Sequence, residues 1–237
     1  MNLALREFGS RAGSKGTAVL IHGTGARAEM WNPQIKLLCD AGWYCLLPDL
    51  RGHGETIEPG ESADISVHLH DILDPLCDSD VEYPATFIGH SLGAIISLEL
   101  AAQKPEMVKK ILAVSMPGKV PELTVSAFRA LLGWPYHALK DSVIHRNLGW
   151  RERVLIDTNH YSLNQVVENF AGLNYVDNVP RVKCPVHFAV GRLDPVAPWH
   201  HVETMHKALP GSTLQVIEWA AHNCMDSQPD AFNRWFM

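Results

Sequence analysis

Three residues, far apart along the chain, have the types and surroundings that could do chemistry together. Gly89-His90-Ser91-Leu92-Gly93 sets a serine between two glycines, directly after the apolar run Ala85-Thr86-Phe87-Ile88 and directly before a helix-like stretch. A Gly-x-Ser-x-Gly match means little by itself. A strand before it and a helix behind it give it meaning, because that setting holds a serine on a sharp, strained turn with its hydroxyl presented outward. Such a turn needs small neighbours on both sides, and the helix adds a positive N-terminal field that favours a developing anion. Asp194 stands in Gly191-Arg192-Leu193-Asp194-Pro195-Val196-Ala197-Pro198, after a later apolar run. A carboxylate there reaches the same rim and can accept an imidazole Nδ1–H, fixing the tautomer. His222 follows in Ala220-Ala221-His222-Asn223, where an imidazole can take the serine proton and later return it to a leaving group. Ser91 as nucleophile, Asp194 as orienting acid and His222 as general base define nucleophilic acyl chemistry. The plain alternatives are a glycine-rich turn with a buried serine, an Asp-Pro turn and a capped loop histidine.

Thirteen histidines are present, so abundance argues nothing. His22, His53 and His90 lie beside glycines in loops of the same rim and read as structural or supporting residues. His200, His201 and His206 read as surface residues. Only His222 lies on the right loop after Ser91 and Asp194.

Positioning these residues requires parallel strands alternating with helices, and the hydropathy pattern supplies them. Two-sided apolar runs mark strands at Thr17–Ile21, Trp43–Leu47, Ala85–Ile88, Lys110–Val114, Pro185–Val190 and Thr213–Ile217. Helical spacing marks Trp31–Ala41, Leu92–Lys104, Glu203–Leu209 and Pro229–Phe236. From about Val120 to Pro180 no strand is convincing, yet Trp134, Tyr136, Trp150, Phe170 and Tyr175 sit among helix-like segments. That stretch is too long and too apolar for a loop. The expected architecture is α/β, a mostly parallel central sheet with helices on both faces. Residues 1–117 and 181–237 form its core and residues 118–180 an inserted helical layer.

The 237 residues suit one domain. A net charge of −6 and the lack of a basic cluster argue against a nucleic-acid partner. The N-terminus carries no signal-peptide pattern and no segment approaches membrane-span length. Five cysteines without a Cys-x-x-Cys pair read as reduced, in a cytoplasmic compartment, and not as metal ligands.

The order Ser, Asp, His after successive late strands resembles the α/β-hydrolase superfamily, over nearly the whole chain outside the insert. Further likenesses are His22-Gly23-Thr24-Gly25 followed by Trp31, Asp49-Leu50-Arg51-Gly52-His53-Gly54, and the closing run from His222 to Phe232. One departure stands out: only Leu3–Phe8 and a glycine-rich bridge precede the Thr17 strand, which suggests a lost edge strand. The resemblance implies an oxyanion hole from the backbone N–H groups of Thr24 and Leu92. It also implies that the insert is a cap over the site, with Met116, Trp134 and Tyr136 as substrate contacts unless they are only the cap's own core. Arg27 and Arg192 read as charged surface residues rather than as anchors.

Function on this fold must be argued from the site. A serine nucleophile disfavours the family's dehalogenases and epoxide hydrolases, which resemble one another in using aspartate there. The expected substrate is a small-molecule acyl ester, thioester or lactone, with no cofactor, no metal, and a monomer or homodimer as the working unit. The alternatives are a triad-retaining small-molecule receptor with very slow hydrolysis, a carbon–carbon bond hydrolase or a cofactor-free haloperoxidase.

Overall fold

The computed structural model describes residues 2–58, 64–78, 81–120, 122–131, 138–177 and 179–237. Among them seven strands form one sheet: β1 (Leu5–Phe8), β2 (Thr17–Ile21), β3 (Tyr44–Pro48), β4 (Ala85–His90), β5 (Val108–Val114), β6 (Val186–Gly191) and β7 (Thr213–Ile217). Their spatial order is β1-β3-β2-β4-β5-β6-β7, with β1 antiparallel to β3 and every other pairing parallel. The short N-terminus thus still supplies one edge strand.

Period-two alternation sends neighbouring side chains to opposite faces of the sheet. Val19, Ile21, Phe87, Ile111 and Ala113 join one core cluster; Ala18, Leu20, Ile88, Leu112 and Val114 join the other. The first cluster is covered by α2 (Ile65–Asp78) and α3 (Leu92–Gln103), the second by α1 (Asn32–Asp40) and the C-terminal helix. Parallel strands buried on both faces need this double cover. Nine of the twelve residues of α3 are buried, so the helix behind Ser91 has no wet face and lies inside the domain.

A helix over Ile65–Asp78 is not among the sequence expectations. It contains Pro75, which normally ends a helix. Leu69, Ile72 and Leu76 nonetheless fall at helical spacing and are buried, and Asp64 Oδ1 accepts the Val67 N–H at 2.9 Å as a start signal. Core packing outweighs the proline.

Between β5 and β6 run α4 (Glu122–Leu131), α5 (Val143–Asn147), α6 (Trp150–Asp157) and α7 (His160–Asn169). Among the described residues this segment meets the sheet domain through the bond from the Asn159 N–H to Gly52 O at 3.2 Å and the Arg151–Asp226 pair, and Val125, Val166, Val167, Phe170 and Tyr175 join the first core cluster. After β6 come α8 (Trp199–Ala208), α9 (Cys224–Ser227) and α10 (Pro229–Phe236), which buries Phe232 and Phe236 under the sheet. Among the described residues no helix is long and apolar enough to cross a membrane.

Candidate active site

The turn from β4 into α3 holds Ser91 at φ 51° and ψ −112°, outside the regions a serine normally adopts. Such a conformation costs about 1–3 kcal/mol and persists only where its surroundings impose it. Here they do. The Ser91 N–H donates to Val114 O on β5 at 2.9 Å, and Ser91 O accepts from the first turn of α3. The flanking glycines have a steric reason: a Cβ on Gly89 would overlap the backbone of Gly93, and one on Gly93 would overlap the Ile21 carbonyl of β2.

Asp194 lies in the turn after β6, where its carboxylate is buried. Its Oδ1 accepts the N–H groups of Val196 and Ala197 at 2.9 and 2.8 Å. Both carboxylate oxygens also face His222 Nδ1, at 3.0 and 2.9 Å. Nδ1 therefore carries the proton and donates it, leaving the Nε2 lone pair free to act as a base. His222 sits on the loop after β7, a turn in which Trp219 takes φ 59°. The His90 Nε2–H donates to His222 O at 3.1 Å, and the two rings lie 4.8 Å apart.

Ser91 and His222 line one cavity of about 270 Å³. Among the described residues no hydrogen bond joins their side chains. The rest of the wall is mostly apolar, with Val120, Val125, Leu155, Val167, Phe170 and Val196, and it also includes Arg151, Glu152 and Asn223. Six of these, Val125, Arg151, Glu152, Leu155, Val167 and Phe170, come from the helices between β5 and β6 or their immediate ends.

Thr24 lines the same cavity, while Leu92 is the first residue of α3, directly after Ser91. The loop bearing Thr24 is fixed from behind by two histidines. His53 Nε2 accepts the Gly25 N–H at 3.0 Å while its Nδ1–H donates to Arg51 O at 2.8 Å. His22 Nε2 accepts the Leu50 N–H at 2.9 Å and its Nδ1–H donates to Gly23 O at 2.8 Å. Both rings must stay neutral to make these bonds. Burial pushes His22 down to about 4 and His53 down to about 3. Asp49 completes this support: fully buried, it accepts the Ala28 N–H at 2.7 Å and the Glu55 N–H at 3.0 Å.

The remaining candidates from the sequence fall as follows. Met116 is fully buried among core side chains, and its neighbour Pro117 is the one that lines the cavity. Trp134 and Tyr136 lie outside the described residues. Arg27 pairs with Glu29, and Arg192 pairs with Glu218 and stacks on Trp199, so neither is an unpaired anchor. His200, His201 and His206 lie on α8. Arg151 was not singled out from the sequence. Its partner Asp226 is remote along the chain, and no spacing rule links the two. No group of three or more metal-ligating side chains is gathered among the described residues.

This sheet order, with a strained serine turn on the central strand and an Asp–His pair from the last two strands, defines a fold class that comparison with known proteins identifies. A model described as "Alpha/beta hydrolase family" matches residues 18–235, and the chain belongs to that family. The chain is 24% identical to an uncharacterized protein of Mycobacterium tuberculosis, over 93% of this chain and 74% of that one. The enol-lactonase of Burkholderia xenovorans superposes with a TM-score of 0.85 at 22% identity, covering 98% of this chain and 94% of the other. An esterase from Exiguobacterium antarcticum superposes with a TM-score of 0.83 at 19% identity, covering 98% and 92%. At these identities the two structures speak for the fold.

Proposed function

We propose that the protein is a serine hydrolase of small acyl esters, with thioesters and lactones as chemically equivalent substrates. One observation carries the reading: an imidazole already oriented by a buried carboxylate faces the same small apolar cavity as a serine held on a strained turn. Ser91 Oγ attacks the substrate carbonyl carbon as its proton passes to His222 Nε2, and the carbonyl π bond becomes an oxyanion. The C–O bond to the leaving group then breaks, and the departing alkoxide takes the proton from His222. Water repeats the sequence on the acyl-enzyme, giving the carboxylic acid and free Ser91. Asp194 keeps Nδ1 protonated and steadies the imidazolium that forms. The Thr24 and Leu92 amides receive the oxyanion; one such donor contributes about 3 kcal/mol of transition-state stabilisation. That no side-chain hydrogen bond joins Ser91 and His222 is compatible with this reading, because catalytic hydrogen bonds in unliganded enzymes are commonly long and tighten around substrate. The helices α4–α7 act as the cap whose apolar side chains receive the acyl group. The two structural neighbours, an enol-lactonase and an esterase, act on bonds of the same chemical class.

The test is a time course with p-nitrophenyl butyrate, joined to fluorophosphonate labelling mapped by peptide mass. Many turnovers per protein and a label on Ser91 support the hydrolase. A single stoichiometric burst makes the protein a slow receptor, and a label elsewhere with Ser91 untouched defeats the assignment.

A further inference from the structure

His90 ends β4, one residue before Ser91, and it touches the other two loops that carry the site. Its Nε2–H donates to His222 O at 3.1 Å, and its ring centre lies 4.8 Å from that of His222. It also abuts the loop that bears Thr24. A methyl group on Gly23 would stand 2.6 Å from His90 Nδ1 and 3.1 Å from Ser91 Cβ. The residue is buried and lines the cavity together with Thr24, Ser91 and His222.

The protonation state of the ring follows from its partners. A backbone carbonyl only accepts, so Nε2 carries the hydrogen and Nδ1 keeps its lone pair. Nδ1 is buried and has no hydrogen-bond partner. A second proton placed there would find no acceptor, and burial itself holds His90 well below the usual histidine range. Neutrality matters here. On the proposed mechanism His222 becomes cationic, and a charged ring 4.8 Å away would oppose that step.

His222 is thereby held at two points. Asp194 fixes its ring through Nδ1, and His90 fixes its main chain through the carbonyl. Together they set where Nε2 stands relative to Ser91.

Resting on the hydrolase reading, we infer that His90 is a positioning residue: its Nε2–H bond to the His222 carbonyl holds the general base in register with Ser91 and the Thr24 loop.

The test measures kcat and KM on p-nitrophenyl butyrate with His90 replaced in three ways. His90→Gln carries an amide N–H near the Nε2 position, His90→Asn is one methylene shorter and falls short of His222 O, and His90→Met fills space without a donor. Asn and Met should lower kcat by about 10- to 100-fold, the cost of misplacing a reacting group by about 1 Å, with KM within about twofold. Gln should restore most of that loss. A side chain that only fills the core would not discriminate Gln from Asn in this way. Equal kcat in Gln and Asn, or wild-type kcat in Met, would overturn the inference, and the Gln–Asn pair decides it where Met does not fold. The low-field proton resonance of the His222 Nδ1–H, absent in His222→Ala, reads the same placement without turnover. It should stay in place in Gln and move in Asn; an unmoved signal in Asn would overturn the inference too. If the wild type turns over no ester while that resonance still follows the donor, the hydrolase reading has failed and the positioning role stands.

Discussion

The rim of the sheet and the helical segment between β5 and β6 solve different problems with different materials. At the rim, geometry is set by backbone. Ser91 is held by a bond to Val114, its flanking glycines leave no room for a methyl group, and the neighbouring loop is pinned by His22, His53 and Asp49. The helical segment is joined to the sheet domain by apolar side chains such as Val166, Val167 and Phe170 in a shared core cluster, and leaves Val143, Ile144 and Tyr161 well exposed. What it gives the cavity is side chains. On the proposed hydrolase reading, the reacting groups sit where the backbone is most tightly fixed, and the side chains facing the acyl group come largely from the helical segment.

The most severe way to break the rim is to remove the reacting groups. Ser91→Ala and His222→Ala should each lower kcat on p-nitrophenyl butyrate by on the order of 10³-fold or more, with unchanged circular dichroism, because such residues act as a unit. Full activity in either variant rules out its assigned role. Next comes Gly93→Ala, which forces a methyl group against the Ile21 carbonyl. Urea unfolding should show a loss of about 3 kcal/mol, at the upper end for overpacking; a loss under 0.5 kcal/mol would mean that the turn yields.

Acid attacks the same rim more gently. In the unfolded chain histidine titrates near 6.5, whereas His22 and His53 remain neutral in the folded protein down to about 4 and about 3. Between those values the unfolded chain binds more protons. The stabilisation is therefore complete above pH 6.5 and is lost as the pH falls toward 4. The Tm should drop by roughly 10–20 °C between pH 7.5 and 4.5, and His53→Gln should flatten that slope. A pH-independent Tm would show that these rings are not held neutral.

The mildest change sharpens the other side of the comparison. Leu155→Ala, in α6, should shift the preferred p-nitrophenyl ester to a longer acyl chain by roughly three- to tenfold in kcat/KM ratio. Stability should fall by under about 1 kcal/mol, since the side chain is only half-buried. An unaltered chain-length profile would remove the segment from the acyl pocket.

Legibility in the sequence follows the same division. Ser91, Asp194 and His222 could be located because each stands at the end of a strand, and strands carry a strong apolar signal. The two glycines were informative because backbone contact, not function, demands them. The α2 helix was missed because Pro75 is a local breaker that tertiary packing overrides. Arg151 was missed because its place depends on Asp226, a partner that no periodicity connects to it, and on a cavity formed only when α4, α6 and α7 settle over the rim. Met116 was named for its place after β5, yet the chain turns so that Pro117 lines the cavity instead.

The bond from the Ser91 amide to the Val114 carbonyl makes the proposed nucleophile a rung of the ladder between two central strands. Thermal relaxation of the strained turn is thereby coupled to the parting of those strands. On heating, loss of turnover and collapse of the sheet should coincide, while discrimination among substrates blurs at lower temperatures as the helices above begin to loosen.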